Sequence, residues 1–257
     1  MKRTARVVGT LLIVAGVGAL AWALTVWQWQ DPFTAALNRL EQRELARDFD
    51  RRVEEGGARL AHSGDGLRES LPRAAAAWRT ASKRGDAVAR IRIPALGVDE
   101  IVVNGTDHDS LKRGPGRYLG SAMPGQGELV YIAGHRTTYG APFSRIDRLH
   151  KGDRVELELP YATLEYEVTG SRIVAASETG VLRSKGREQL VLQACHPRFF
   201  ASHRYLAYAR PVRVTPRGSD RALDAIPARA RATSRRRSPS WRRAACGRFH
   251  HRSAETR

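Results

Sequence analysis

Three residues in this 257-residue chain combine chemically capable side chains with positions where chemistry is usually exposed. Cys195 ends the apolar run Gln189 to Ala194, His135 follows the run Glu128 to Ala133 after one glycine, and Arg204 opens the run Tyr205 to Ala209. Short apolar runs of this kind read as strands, so all three residues fall where strands stop or start. Fully extended, the nine residues from Cys195 to Arg204 would span roughly 30 Å. If His196 to His203 is instead a loop between paired strands, both residues return to one edge of the sheet. A thiol, an imidazole and a guanidinium meeting there would suit thiol acyl transfer. Cys195 would be the nucleophile, His135 would exchange protons with the thiol and a leaving amine, and Arg204 would hold the oxyanion or the substrate backbone. A nearby cation would also favour the thiolate. Each residue has a plainer reading as well: an inert core cysteine, a turn-capping histidine and a surface arginine paired with one of the acids. Types and spacing alone leave both readings open.

The elements that must position these residues are mostly strands. Ile91 to Pro94 and Glu100 to Val103 open the patterned region, and Val155 to Leu159 and Leu164 to Val168 alternate strictly on either side of Pro160 to Thr163, as a hairpin with one dry face does. Only Asp109 to Arg113 and Phe143 to Leu149 are short helical candidates. Residues 89–215 are therefore expected to form a small, mostly β barrel or sandwich.

The flanks read differently. Residues 1–30 carry Lys2, Arg3 and Arg6 and then no charge from Val7 to Gln30. The stretch Val7 to Trp27 would make roughly 30 Å of helix, the hydrocarbon thickness of a bilayer. The three cations hold the N-terminus in the cytoplasm and send the rest outside, and Trp22, Trp27 and Trp29 fit an interfacial cluster. Small-x-small sites around Ala19 to Ala23 leave a cleaved signal peptide as the competing reading. A retained single-pass anchor is favoured because the apolar run continues past them. Residues 31–88 are rich in Ala, Arg and Glu, with Leu37, Leu40, Leu45, Phe49 and Val53 at loosely helical spacing. Glycines after Glu55 and around Asp65 interrupt them, so a solvated helical or flexible stalk is expected. Residues 216–257 hold twelve arginines against three acids and no periodicity, the composition of a disordered basic tail.

That tail accounts for much of the formal charge of +18, because Arg90 to Thr215 has eighteen basic residues against thirteen acids. Nucleic acid is therefore not expected as a partner. Two cysteines, Cys195 and Cys246, exclude a disulfide scaffold and any zinc site needing several thiolates, and a bridge between them would tie a patterned core to an unpatterned tail. The close acids Asp99-Glu100 and Asp107/Asp109 lack a glycine-spaced cation loop. No metal and no cofactor is expected.

The segments Ala133-Gly134-His135-Arg136-Thr137-Thr138-Tyr139-Gly140-Ala141-Pro142-Phe143 and Leu192-Gln193-Ala194-Cys195-His196-Pro197, followed by Arg204, closely resemble the sortase family of bacterial cysteine transpeptidases. Ile91 to Val98 is similar to the first strand of that fold, and Thr137 to Gly140 points to the class labelled E, with class D open. The resemblance implies a closed eight-stranded β-barrel and a peptide-sorting reaction. Cys195 would attack the Thr-Gly carbonyl of an LPxTG-like or LAxTG-like signal on a surface protein. A peptidoglycan precursor such as lipid II, or a pilin lysine, would then resolve the thioacyl enzyme. His135 would be the acid/base, Arg204 the oxyanion or substrate anchor, and the loop from Val174 to Glu188 part of substrate recognition. One departure is Ala194, where the family commonly has a threonine before the nucleophile; it keeps a non-catalytic surface barrel that binds peptide or wall polymer as the alternative. The Ser-His-Gly-Cys signature of L,D-transpeptidases is absent.

Overall fold

Alternation of apolar and polar residues gives a strand one dry face, and the longer of the nine strands among the described residues from Ala87 onward follow that principle, apart from β4. The structure is a computed structural model and describes residues 2–29, 32–60, 67–217 and 223–224. The strands are β1 (Ala87–Ile93), β2 (Val98–Asn104), β3 (Gly116–Arg117), β4 (Leu129–Ala133), β5 (Arg154–Glu158), β6 (Ala162–Ala175), β7 (Gln189–His196), β8 (His203–Pro216) and β9 (Leu223–Asp224). Their order is β6-β5-β1-β2-β3-β4-β7-β8-β9, and β6 also pairs with β8. That last pairing closes the first eight into a barrel, with β9 added beside the end of β8. The expected mostly β, closed eight-stranded barrel is the observed fold.

Closure rests on the length of β6 and β8, fourteen residues each, which pair from Ala162↔Pro216 to Ala175↔His203. The interior is filled from β1, β2 and β4 to β8, with Ile91, Ile132, Leu157, Leu164, Tyr166, Leu190 and Leu192 essentially inaccessible. All five residues of β4 are buried. Val130 and Ile132 enter the barrel core, while Leu129 and Tyr131 join a second cluster on the outer face with Val174, Val191 and Leu206. A strand covered on both faces explains why its sequence reads as a continuous apolar run.

Among the described residues four helices accompany the barrel: α1 (Lys2–Trp29), α2 (Pro32–Leu60), α3 (Leu67–Ala81) and α4 (His108–Arg113). Helix α4 covers the expected 109–113 segment and is capped by Asp107, which accepts from the Ser110 amide. The other candidate, Phe143 to Leu149, is not an α-helix. It is a chain of turns ending in a 3-10 turn, Ile146–Arg148, with Ile146 N donating to Phe143 O and Leu149 N to Ile146 O. Phe143, Ile146 and Leu149 are all buried, and their spacing of three matches the 3-10 repeat, in which such residues lie on one face.

Residues 31–88 depart from the expected solvated stalk. The backbone of α2 continues through Gly56 and Gly57, and Leu45, Phe49 and Val53, one above another on its face, are buried against Ala87, Ile101 and Val103. The sheet presents apolar residues outward at β1 and β2, and the helix covers them. Gln42 fastens the contact: its carbonyl accepts from Ile101 N at 2.6 Å, and its amide donates to Arg113 O at 2.6 Å. In α3, Leu71 and Ala75 reach the main core, and Trp78 donates to Val88 O at 3.0 Å. Residues 61–66, most of the 216–257 tail and Cys246 lie outside the described residues.

Phe49 is fully buried at this helix–barrel contact. Phe49→Ala is expected to lower the unfolding free energy by about 3 kcal/mol, read from the urea midpoint of the chain in detergent; an unchanged midpoint would mean that α2 is not docked.

Candidate active site

The position of Cys195 is set by a parallel pair and an antiparallel pair. β7 runs parallel to β4, with Ala133 opposite Gln193, and antiparallel to β8, with Cys195 opposite Arg204. Directly opposed residues in such a ladder project to the same face with their Cβ atoms roughly 5 Å apart. Alternation along β7 sends Leu190, Leu192 and Ala194 into the barrel core, which leaves Val191, Gln193 and Cys195 on the outer face. Cys195 is half-buried and reduced.

His135 continues β4 by two residues. Gly134 N donates to Gln193 O at 2.9 Å, so the parallel register carries through the glycine and brings His135 level with Cys195. Its backbone carbonyl accepts from Phe143 N at 3.1 Å, and its ring lies 5.1 Å from that of Tyr139. Burial, with His108 adding to the effect, holds the imidazole below its ordinary pKa of 6.5. Nε2 is buried with no hydrogen-bond partner among the described residues. A neutral imidazole with an uncommitted nitrogen is the form that takes a proton from a thiol.

Arg204 makes no ion pair among the described residues, contrary to the plainer reading of a surface arginine. Its Nη1 donates to Ala201 O at 2.7 Å and to His203 O at 3.0 Å, which folds the guanidinium against its own turn. Its charge is felt by Tyr131, whose hydroxyl is nonetheless pushed up to about 12 by burial. Tyr131 donates to Gln193 Oε1 at 3.2 Å on the same outer face. Thiol, imidazole and guanidinium therefore occupy three adjacent strands at one end of the barrel. From there an apolar floor of Tyr131, Val191 and Leu206 runs toward Val181 and Leu182 in the loop that follows β6.

Ala194 points the other way. It is fully buried in the barrel core, so a hydroxyl at this position would face the interior and not the groove. The departure noted in the sequence thus leaves the outer face intact.

Arg136 was quoted in the sequence motif without a role, and the structure gives it one. Its side chain is only 4% exposed. Nη1 lies 3.3 Å from Cys195 O and 2.9 Å from His196 Nδ1, Nη2 pairs with Asp147 at 2.9 Å, and the guanidinium sits 6.0 Å from the Tyr205 ring centroid. The residue after the histidine thereby grips the backbone of the cysteine. No sequence signal announces this, because the partners are separated by some sixty residues and one is a carbonyl. The following loop is tied down as well. Tyr139, Gly140 and Ala141 all have positive φ, and Tyr139 N donates to Thr34 Oγ1 of α2 at 3.1 Å.

Comparison with known proteins agrees with this fold. Residues 91–212 match the family model described as Sortase domain. Sortase D of Bacillus subtilis (strain 168) is 33% identical over 132 residues, which cover 50% of this chain and 65% of that protein. Sortase A of Bacillus anthracis is 28% identical over 109 residues, or 51% of its length, so the chain spans about half to two thirds of these curated relatives. A Clostridium perfringens Sortase D5 transpeptidase structure superposes with a TM-score of 0.54 at 23% identity, covering 67% of this chain and 98% of that one, a likeness of fold. A lid mutant of Sortase A from Corynebacterium diphtheriae gives 0.50 at 26% identity, covering 57% and 94%. Residues 91–212 thus form a sortase-family domain, and sortases are cysteine transpeptidases.

Replacing Arg136 by Met keeps the stem and removes the donors from Cys195 O, His196 and Asp147. A loss of about 1–3 kcal/mol in unfolding free energy is expected, with faster alkylation of Cys195 by iodoacetamide as its backbone anchor is released. Unchanged values in both measurements would deny Arg136 this part.

Proposed function

We propose that this chain is a membrane-anchored cysteine transpeptidase that opens an LPxTG-like or LAxTG-like sorting signal between Thr and Gly and passes the upstream protein to an amine of a peptidoglycan precursor or a pilin. The observation that carries the reading is Cys195 facing Arg204 across β7 and β8, with His135 level on β4, at the end of an outward apolar groove. The apolar floor suits the Leu-Pro or Leu-Ala end of such a signal, and the polar rim suits its Thr-Gly carbonyl.

In the first half-reaction the Cys195 proton passes to His135 as Sγ attacks the threonine carbonyl, and Arg204 donates to the developing oxyanion. Collapse of the tetrahedral adduct breaks the Thr-Gly bond, and the imidazolium returns its proton to the departing glycine amine. The thioester that remains is attacked by the acceptor amine, whose proton His135 takes up. Breakdown of the second adduct forms the new amide and returns the proton to the Cys195 sulfur.

Helix α1 supports the anchored reading. Its segment Arg3–Leu24 is long and apolar enough to cross a membrane, about 33 Å of helix. None of that segment is buried by the rest of the protein, and Leu11, Leu12 and Ile13 are about two-thirds exposed. A bilayer supplies the missing apolar surroundings, and Lys2, Arg3 and Arg6 favour a cytoplasmic N-terminus with the barrel outside.

Cys195→Ala is expected to abolish the thioacyl adduct, read by mass spectrometry after incubation with sorting-signal peptides, while circular dichroism stays unchanged. Persistent turnover would remove the assignment, and absence of any adduct on the native cysteine would favour a non-catalytic peptide-binding barrel. Because His135 must be neutral to accept the thiol proton and burial lowers its pKa, kcat/KM is expected to fall on the acid side with a midpoint below 6.5. A midpoint above 6.5 would exclude His135 as that base.

A further inference from the structure

The loop between β7 and β8 carries an apolar display that the transpeptidase reading does not use. Phe199 is 55% exposed and Phe200 is 81% exposed, side by side, a few residues after Cys195. Burying such a ring is favourable, so leaving two in water is unfavourable unless something covers them. The display is braced. Phe199 and Ala201 have φ of 71° and 52°, a region that non-glycine residues rarely occupy. Arg198 Nη2 donates to Ser144 O at 2.5 Å, Ala201 N to Pro197 O at 3.3 Å and Arg204 Nη1 to Ala201 O at 2.7 Å. The loop is held in the shape that points its apolar side chains outward.

A second observation says what lies opposite. Thr34 follows Trp29, the last residue of α1, by only five residues, a reach of at most about 18 Å. Thr34 Oγ1 accepts from Tyr139 N at 3.1 Å, and the Tyr139 ring is 5.1 Å from that of His135. The histidine end of the barrel is thus fastened within a short tether of the outer end of the apolar helix. The β7–β8 loop leaves from that same end.

We infer that the catalytic rim rests on the outer surface of the bilayer, with Phe199 and Phe200 inserted at the headgroup level and Arg198 beside them facing anionic headgroups. Paired aromatics next to a cation are the composition of an interfacial contact. Contact there presents the Cys195 thiol to substrates that themselves emerge from the membrane and shortens the search from three dimensions to two. The inference rests on the anchoring reading of α1 given above.

The test uses the full chain reconstituted in vesicles of phosphatidylcholine and phosphatidylglycerol, with a photoreactive benzoylphenylalanine replacing Phe200. This is an aromatic replacement at an exposed site, so the fold is retained. The same residue replacing exposed Arg187 is the control, since it lies beyond Gln189, the opposite end of β7, which is itself roughly 20 Å from Cys195. After illumination, phospholipid adducts at position 200 are expected to exceed those at position 187 by roughly tenfold, the ratio produced by ~1.4 kcal/mol of preferential contact. Equal adducts at both positions, or none at 200, overturn the inference, as does cross-linking of position 200 to a second copy of the chain or to an added sorting-signal peptide. Flotation of the same samples separates the two readings. A chain that does not float with the vesicles refutes the anchor and the rim contact together, whereas one that floats without lipid adducts at 200 refutes the rim contact alone.

Discussion

The antiparallel ladder between β7 and β8 is the constraint on which the molecule depends. Seven consecutive residue pairs from Leu190↔Ala209 to His196↔His203 fix Cys195 against Arg204. A slip of one residue would turn Cys195 and Arg204 to different partners and send one whole set of side chains from core to surface. The slip is opposed because Leu190, Leu192, Ala194 and Ala207 are already packed inside the barrel. Core packing therefore holds the register, and the register holds Cys195 opposite Arg204, as the proposed chemistry needs.

The same economy extends to the third member. His135 lies two residues past the last paired residue of β4, where a strand has no ladder of its own, and three contacts replace it. Gly134 donates to β7, Phe143 donates to the histidine carbonyl, and Arg136 reaches the cysteine carbonyl and Asp147. A buried arginine shared between a carboxylate and a backbone oxygen gives orientation more than net stability. That is what the acid/base role proposed for His135 requires.

The N-terminal helices complete this arrangement and, on the proposed anchoring, link it to the membrane. Helix α2 lies on β1 and β2 through Leu45, Phe49 and Val53, while its first turns touch the loop that follows His135 at Tyr139. A segment whose composition resembles a spacer thereby becomes part of the barrel's outer wall. Its apolar residues are few, and their burial depends on Ala87, Ile101 and Val103, which show no helical partner in their own sequence. Amphipathic spacing in α2 signals a covered face without naming what covers it.

Much of the barrel was legible in one dimension because strands with a dry face write their alternation into the chain. Val155 to Leu159 and Leu164 to Val168 read as the hairpin they form, and Cys195, His135 and Arg204 were found at strand ends by the same rule. Short strands held by distant partners were not legible, β3 with two residues and β9 with two more, and the helical reading of Phe143 to Leu149 narrows to the 3-10 turn at Ile146. The amino-acid sequence by itself determined the strands, the apolar N-terminal helix and the identity of the reactive groups, since these depend on local periodicity and side-chain chemistry. Only the tertiary structure decided the closure through β6 and β8, the inward turn of Ala194, the grip of Arg136 and the docking of α2. Each of those joins residues that are far apart along the chain and become neighbours only when the barrel closes.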